Sequence, residues 1–186
     1  MLAQFRPSRL LAPYNDSIDP SDLNIVSWPN PSLRTRAVHV PSVEEVSLVA
    51  PRMIELMHDA AGIGLAAPQV GLPWRMFVTS IPPADSVDRV FVDPVIELDL
   101  CGSPPQPYEE GCLSLPELRL EILRPLGARS SARDLNGDSF EMSDNGLMAR
   151  VWQHEFDHLE ARLIFDLAQP VDAAAVKRWR KVYDNQ

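Results

Sequence analysis

Apolar residues recur at helical spacing in three segments of the chain. In the first, residues 42–60, a Ser-Val-Glu-Glu capping box precedes apolar positions three or four residues apart, and Pro51 interrupts the run. The second segment covers residues 145–162, and the third begins at Pro170 and continues to about residue 183. The pattern therefore predicts three helices, the first of them kinked or divided at Pro51.

Between the first two helices the pattern changes to short runs of β-branched or alternating apolar residues. Pro82-Pro83 and Asn136-Gly137 provide turn signals among these runs. The strand candidates are residues 75–79, 89–92, 95–98, 118–123 and, as the weakest of them, the small and polar stretch 128–133. The region therefore predicts a series of short strands rather than further helices.

The length and charge of the chain limit its organisation. With 186 residues, 45% of them apolar, one domain can form a packed core. We divide the chain into an N-terminal arm at residues 1–24, a main domain at 25–170 and a C-terminal helix at 171–186. The formal charge of −9 disfavours a nucleic-acid binder, so we expect no direct DNA binding. No apolar run has the length needed to cross a bilayer, so we expect no membrane partner.

Cysteine usage and the N-terminus bear on location. The two cysteines, Cys101 and Cys112, give no sign of a secreted disulfide scaffold, which favours a reducing compartment. The N-terminus lacks the apolar core of a secretory signal. We therefore expect a cytoplasmic protein, with an organelle as the weaker alternative because Arg6 and Arg9 lie close to the N-terminus.

The most informative feature is the sequence His154-Glu155-Phe156-Asp157-His158 in the second predicted helix. Residues four apart project from the same helical face, so His154 and His158 can bind one metal ion while Glu155 reaches a water beside it. The other two histidines, His39 and His58, are interpreted as structural or exposed. The spacing thus predicts a metal centre, and a catalytic centre of this kind usually has a third protein ligand.

Cys112, in the sequence Glu-Gly-Cys-Leu-Ser, is the best remaining soft ligand. A buried structural thiol is an equally good interpretation of this cysteine taken alone. The glycine-rich segment 62–71 is the third notable feature, and either it ends the first helix or its backbone closely approaches another group. Gln69 offers an amide donor there, and no Lys-Ser or Lys-Thr follows that would indicate a phosphate loop.

Taken together and in this order, the three segments resemble the peptide deformylase family, in its type-1 bacterial and organellar branch. The family pattern of Gly-x-Gly-x-Ala-Ala-x-Gln, Glu-Gly-Cys-Leu-Ser and Gln-His-Glu-x-Asp-His-Leu is matched by residues 62–69, 110–114 and 153–159. The resemblance covers about residues 25–170, which would then be a catalytic metallohydrolase domain. It implies an α+β fold with small antiparallel sheets packed around the helix that carries the two histidines.

The resemblance also implies an activity and a cofactor. The substrate would be the N-formyl group on the first methionine of new polypeptides and nascent chains, and the products would be formate and a free amino terminus. Cys112, His154 and His158 would bind one divalent metal, Fe²⁺ in many members, with Zn²⁺, Ni²⁺ or Co²⁺ able to replace it.

Further roles follow from the resemblance and from helical spacing. Glu155 would act as general base, while the Gln69 amide and the Leu113 backbone N–H would stabilise the developing oxyanion. The candidate substrate-binding residues are Ile63, Gly64, Tyr108, Glu110, Gly111, Leu147, Arg150 and Val151. Glu110 and Asp157 would also orient the imidazoles or neighbouring arginines. Arg119 and Arg124 either hold the substrate or are ordinary surface charges.

Two other functions remain open on the sequence. A His-Glu-x-x-His zinc peptidase shares the two histidines and the base, but its third ligand lies downstream. A structural metal-binding module would need a fourth protein ligand, for which Cys101 is the only spare thiol. The basic cluster at Lys177, Arg178, Arg180 and Lys181 is either a solvated helix face or a contact with ribosomal RNA.

Overall fold

The computed structural model describes residues 18–80, 87–99 and 104–184. Most of the predicted N-terminal arm, the Pro82-Pro83 turn and Cys101 lie outside these ranges. Within them no helix is both long and apolar enough to span a lipid bilayer.

Three α-helices occur in the three segments predicted to be helical. They are α1 (Val43–Asp59), α2 (Leu147–Leu159) and α3 (Ala173–Tyr183). The Ser42 hydroxyl accepts a hydrogen bond from the Glu45 backbone N–H at 3.2 Å and so caps the start of α1. α1 continues through Pro51 as one element, so the helix is not divided there. The chain turns into α3 through a short 3-10 segment, Pro170–Asp172.

Within the described residues, seven strands form two antiparallel sheets. The first sheet has the order β1-β2-β3-β6-β7 and contains β1 (Gly64–Ala66), β2 (Met76–Thr79), β3 (Arg89–Asp99), β6 (Gly127–Arg133) and β7 (Ser139–Asp144). The second is a hairpin of β4 (Gln106–Cys112) and β5 (Leu115–Arg124). With three helices and antiparallel sheets, the structure confirms the predicted α+β class.

Residues 89–92 and 95–98 were predicted as two separate strands, but both belong to the single strand β3. Its pairing with β6 shifts register between Val92 and Val95, and Asp93 between them has a φ of +49°. Pro94 cannot donate a ladder hydrogen bond, so a bulge at this point lets the strand continue on the far side of the proline. The weakest strand candidate, residues 128–133, is present as β6, which begins one residue earlier at Gly127.

Apolar side chains of the described residues pack in three clusters. One joins α1 to β2 and β3, and it includes Leu23 from the end of the predicted arm. A second joins α2 to the five-stranded sheet through Trp152 and Phe91, whose ring centroids are 6.0 Å apart. The third joins β5 to α3. The opposite side of α2 faces the β4–β5 hairpin, because Arg150 donates to the backbone carbonyl oxygens of Gln106 and Ile122.

Candidate metal centre

Three side chains that can bind a metal converge between α2 and the end of β4. Helical spacing places the ring centroids of His154 and His158 5.2 Å apart. Cys112 ends β4, and its sulfur lies 3.3 Å from His158 Nε2. One ligand atom from each of the three residues falls within 4.8 Å of the other two, and the described residues contain no other such group of three.

The distances and the chemistry of this group fit one divalent ion. In tetrahedral coordination a thiolate sulfur and an imidazole nitrogen on the same ion lie roughly 3.5 Å apart. The observed 3.3 Å between Cys112 Sγ and His158 Nε2 is close to that separation. A thiolate with two imidazoles is a borderline-soft donor set that suits iron and zinc, and three protein ligands leave room for a reactant.

Glu110 holds the first imidazole in place. His154 Nδ1 lies 3.0 Å from Glu110 Oε2, so donation through Nδ1 directs Nε2 towards the sulfur of Cys112. Arg124 donates to both oxygens of the same carboxylate at 2.7 and 3.0 Å, and Arg150 donates at 2.7 Å. Burial favours the neutral acid, but the hydrogen bonds from His154 and Arg124 outweigh it and lower the pKa of Glu110. Glu110 is therefore a buried carboxylate anion.

Asp157 and Arg124 extend this network beneath the centre. Arg124 Nη1 donates to Asp157 Oδ2 at 2.8 Å, so one guanidinium joins the two acidic side chains. Arg124 is only 4% exposed. Of the two arginines predicted either to hold the substrate or to be surface charges, this one is therefore an internal ion-pair partner. Arg119 is exposed, and its guanidinium lies over Gly111, where a β-carbon would come within 1.3 Å of Nη1.

The two histidines lie in different electrostatic surroundings. Burial, together with the neighbouring His154, lowers the pKa of His158 and keeps its imidazole neutral, which is the state that binds metals. Burial acts in the same direction on His154, but Cys112 and Glu110 outweigh it and raise its pKa well above the usual value. This concentration of negative charge favours a cation between the imidazoles and the thiol. The two remaining histidines pair with aspartates elsewhere, His39 with Asp93 and His58 with Asp88.

Glu155 points into the same site from α2. It is 4% exposed, and its Oε2 has no hydrogen-bond partner among the described residues. Burial raises the pKa of Glu155 to about 7. A carboxyl group whose pKa is near neutrality can both accept and return a proton.

Gln69 approaches the centre from the opposite side. Its Oε1 accepts the Ala66 backbone N–H at 2.8 Å, which fixes the orientation of the amide. Its Nε2 then lies 3.5 Å from Cys112 Sγ and 3.3 Å from Ser114 Oγ. An amide donor is thus held beside the thiol, in a position to stabilise negative charge.

The centre opens into a cleft of about 550 Å³. The predicted substrate-binding residues all line it, namely Ile63, Gly64, Tyr108, Glu110, Gly111, Leu147, Arg150 and Val151. Leu113 and Arg119 line it as well, whereas Asp157 and Arg124 lie behind it. Arg150 also lies over the Tyr108 ring, with Cζ 5.4 Å from the ring centroid.

Sequence reasoning missed the residues that follow the cysteine segment. Pro116, Glu117 and Leu118 line the same cleft, and Glu117 has a φ of +62°. Their position close after Glu-Gly-Cys-Leu-Ser, at the start of β5, was the available signal. A hairpin that places the end of its first strand at the metal centre places the start of its second strand there too.

The fold and the site together define a class of protein. A thiol and two imidazoles converge at the inner end of an open cleft, beside a buried carboxyl group with a raised pKa and an oriented amide. This is the arrangement of a metal-dependent hydrolase rather than of a closed structural metal site. The third ligand candidate is an upstream cysteine, which separates the site from the peptidase alternative.

Comparison with known proteins identifies the family. The model of the polypeptide deformylase family matches residues 22–174. A peptide deformylase of Chromohalobacter salexigens is 38% identical over 87% of this chain and 98% of its own length. The chloroplastic and mitochondrial peptide deformylase 1B of Arabidopsis thaliana is 37% identical over 77% of this chain and 53% of its own. The crystal structure of a peptide deformylase from Legionella pneumophila superposes with a TM-score of 0.77 at 31% identity, covering 88% of this chain and 95% of that one.

The chain therefore belongs to the polypeptide deformylase family. This confirms the predicted fold and function: the chain is a hydrolase of a metal-dependent family that removes the formyl group from N-terminal formylmethionine. The comparisons give no support to the peptidase or to the structural module. The relatives include both bacterial and plant organellar proteins.

Proposed function

We propose that Cys112, His154 and His158 hold one divalent metal and that Glu155, Gln69 and Leu113 carry out deformylation around it. The observation that carries this proposal is the convergence of the three ligand atoms within 4.8 Å at the inner end of the cleft. When bound, a divalent ion supplies Lewis-acid polarisation of the formyl oxygen and makes water easier to deprotonate. The chain's own residues account for the remaining steps.

Glu155 moves the proton. Its carboxylate takes a proton from the attacking water as the water oxygen bonds to the formyl carbon. The carbon–nitrogen bond then breaks, and Glu155 returns the proton to the departing amine, so the products are formate and a free amino terminus. Burial, together with the close approach of Gly64, holds the carboxyl group in one place. A fixed carboxyl group is already oriented for proton transfer when the substrate binds.

Gln69 and Leu113 stabilise the charge that develops on the formyl oxygen. The Gln69 side chain is oriented before substrate arrives because its Oε1 accepts from the Ala66 backbone. Leu113 follows Cys112 directly, so its backbone N–H would lie next to the same oxygen. Donors fixed in advance cost no reorganisation during the reaction, and for this reason they stabilise the transition state more than water does.

The cleft selects the substrate in two ways. Ile63, Leu147 and Val151 provide an apolar surface for the methionine side chain, with Tyr108 and Arg150 at its rim. A formyl carbon carries hydrogen where other acyl groups carry carbon, so a tight site excludes acetyl and larger groups by contact.

The proposal also covers the identity of the metal, the cellular location of the protein and its partners. The donor set favours Fe²⁺ as the physiological ion, with Zn²⁺, Ni²⁺ or Co²⁺ as substitutes. The bacterial relatives support a cytoplasmic location, and the plant relative keeps an organelle as the alternative. We also propose that the basic face of α3 contacts ribosomal RNA, which would bring the enzyme to nascent chains.

The proposed domain division receives partial support from the family match. That match spans residues 22–174 and so corresponds closely to the proposed catalytic domain at 25–170. The arm at residues 1–24 and the C-terminal helix at 171–186 would then be additions to this unit. Leu23, near the end of the arm, is buried in the cluster around α1.

Three peptides test the activity. Protein purified without oxygen is assayed for its metal and for formate released from formyl-Met-Ala-Ser, with acetyl-Met-Ala-Ser and Met-Ala-Ser as controls. We expect about one equivalent of metal and formate release from the formyl peptide alone. Cleavage of internal peptide bonds in the unformylated control, or no formate at full metal occupancy, would overturn the proposal.

A further inference from the structure

The β4–β5 hairpin closes through a two-residue turn at Leu113 and Ser114, and residues 116–118 form a bulge at the start of β5. This turn region, residues 112–118, has one side on the metal centre and the other on α3. On the inner side, Cys112 offers its sulfur to the centre, and Leu113 lines the cleft. The next residues along the chain, Pro116 and Glu117, form part of the cleft wall. Any element that fixes the outer side of this turn therefore affects the shape of the cleft.

Two aromatic residues of α3 hold the outer side. Trp179 Nε1–H donates to the Pro116 carbonyl oxygen at 2.7 Å. The Tyr183 hydroxyl donates to Glu117 Oε2 at 3.2 Å. The two rings stack with centroids 4.7 Å apart and an interplanar angle of 21°, so the two contacts belong to one rigid surface.

A second connection reaches the same turn from the N-terminal side. Trp28 donates its backbone N–H to the Ser114 carbonyl oxygen at 2.9 Å. The Nε1–H of the same Trp28 donates to Asp184 Oδ1, at the end of α3, at 2.6 Å. The end of α3 is therefore tied through Trp28 to the start of the turn, as well as directly to its later residues.

The backbone of the bulge at the start of β5 requires such support. Glu117 has a φ of +62°, a conformation that costs free energy for any residue with a β-carbon and persists only where the surroundings hold it. Trp179 is 8% exposed and packs in the same cluster as Leu115 and Leu118, on either side of Pro116 and Glu117. The hydrogen bonds and the packing from α3 act on the strained residue and on its neighbours.

We propose that Trp179 and Tyr183 are positioning residues that hold Pro116 and Glu117 in place to bind the peptide residues after the methionine. This rests on the proposed function of the cleft. The formyl group lies at the metal centre and the methionine side chain takes the apolar pocket, so the rest of the polypeptide leaves along the remaining lining. There the exposed Glu117 and Arg119 offer polar groups to an extended backbone.

The support comes from residues that follow the last position matched by the family model. The family model ends at residue 174, whereas Trp179 and Tyr183 follow it. If α3 were purely structural, it would stabilise the apolar cluster that it forms with β5 but would not improve the binding of longer substrates. Assays with a short and a longer formyl peptide distinguish the two roles.

Two conservative variants separate these roles. Trp179→Phe keeps an aromatic ring in the cluster but removes the donor to Pro116, and Tyr183→Phe removes only the hydroxyl that contacts Glu117. Val182→Ala, at a position 58% exposed on the same helix, is the matched control. Each protein is assayed with formyl-Met-amide and with formyl-Met-Ala-Ser-amide, and its melting temperature and metal content are measured.

We expect KM for the longer peptide to rise roughly three- to tenfold in each Phe variant, the effect of about one hydrogen bond. The kcat values, the KM for formyl-Met-amide and the metal content should stay within about twofold of wild type.

An unchanged KM for the longer peptide, or equal changes for both peptides, would overturn the inference. If Trp179→Phe lowers the melting temperature strongly, Tyr183→Phe decides the question, since it removes a single oxygen from a partly exposed ring. Wild-type protein that cleaves neither formyl compound would instead refute the proposed function, so the two failures are distinguishable.

Discussion

Gly64 and Glu155 lie so close together that no side chain fits between them. A β-carbon placed on Gly64 would be 2.3 Å from Glu155 Oε1 and 2.8 Å from its Cδ. The glycine of β1 therefore forms one wall of the space that holds the proposed base. This explains why the sequence places a residue without a side chain at the end of the Gly-x-Gly segment.

Gly64→Ala should lower kcat by about 10²-fold while metal content remains at wild-type level, because a shift of about 1 Å in a reacting group has an effect of that size. Formate release and metal analysis on the same preparation measure both quantities. Gly146→Ala is the control, since its nearest contact would be Asp144 Oδ2 at an ordinary 3.5 Å. Wild-type turnover in Gly64→Ala would show that Glu155 need not occupy its observed position.

Glu155→Gln tests the proton transfer itself. The amide keeps the shape of the side chain but cannot accept the proton of water, so we expect kcat to fall by several orders of magnitude with metal retained. Single-turnover assays with formyl-Met-Ala-Ser measure the loss. Full activity in a metal-loaded Glu155→Gln protein would show that Glu155 does not transfer the proton.

The part of the candidate site that α2 carries could be predicted because it depends on local spacing. His154 and His158 share a helical face whenever α2 forms, and the capping box at Ser42 marks the start of α1. Spacing alone did not identify the third ligand candidate. Cys112 reaches the histidines only through the β4–β5 hairpin, and its assignment depended on resemblance to a family rather than on spacing.

The parts of the fold that were missed lack a local signal. β1 has three residues, two of them glycine or alanine, and β4 is almost entirely exposed and polar up to Glu110. β7 alternates only between exposed and half-buried positions. Pairing with neighbouring strands, rather than an apolar period, determines these three strands. Contacts between distant segments, such as the hydrogen bond between Trp179 and Pro116, also could not be predicted from the sequence pattern.

Cys112→Ser should reduce metal content well below one equivalent, because a hydroxyl is a much weaker ligand than a thiolate for iron or zinc. The matched control is Cys101→Ser, which should leave metal content unchanged. Metal analysis after anaerobic purification measures both variants. Loss of metal in Cys101→Ser would favour a closed structural site with four protein ligands, and full retention in Cys112→Ser would point to a different ligand.

Two arginines that share one partner allow the buried network to be tested. Arg124 and Arg162 both pair with Asp157, at 2.8 and 2.6 Å, but their side chains are 5% and 51% exposed. Arg124→Met leaves Glu110 and Asp157 without their buried cation and should lower the free energy of unfolding by about 3–5 kcal/mol. Arg162→Met should cost less than about 1 kcal/mol. Urea denaturation of both variants measures the difference, and equal values would contradict the assigned role of Arg124.

The proposed contact of α3 with the ribosome can be tested without disturbing the fold. Lys177, Arg178 and Lys181 are exposed, whereas Arg180 lies over the rings of Trp28 and Phe165 and pairs with Asp184. Charge reversal should therefore spare Arg180. We expect Lys177→Glu combined with Arg178→Glu to weaken co-sedimentation with ribosomes at low salt, because contacts with phosphates depend on charge.

A control with the same change in net charge separates a specific surface from general electrostatics. Arg89 and Arg129 are exposed on β3 and β6 of the five-stranded sheet, so Arg89→Glu combined with Arg129→Glu provides it. Ribosome binding should fall in the α3 variant and change much less in the control, while formyl-Met-amide turnover stays at wild-type level in both. An equal loss in the two variants would indicate that only overall charge matters, and no loss in either would leave the basic face of α3 a solvated helix surface.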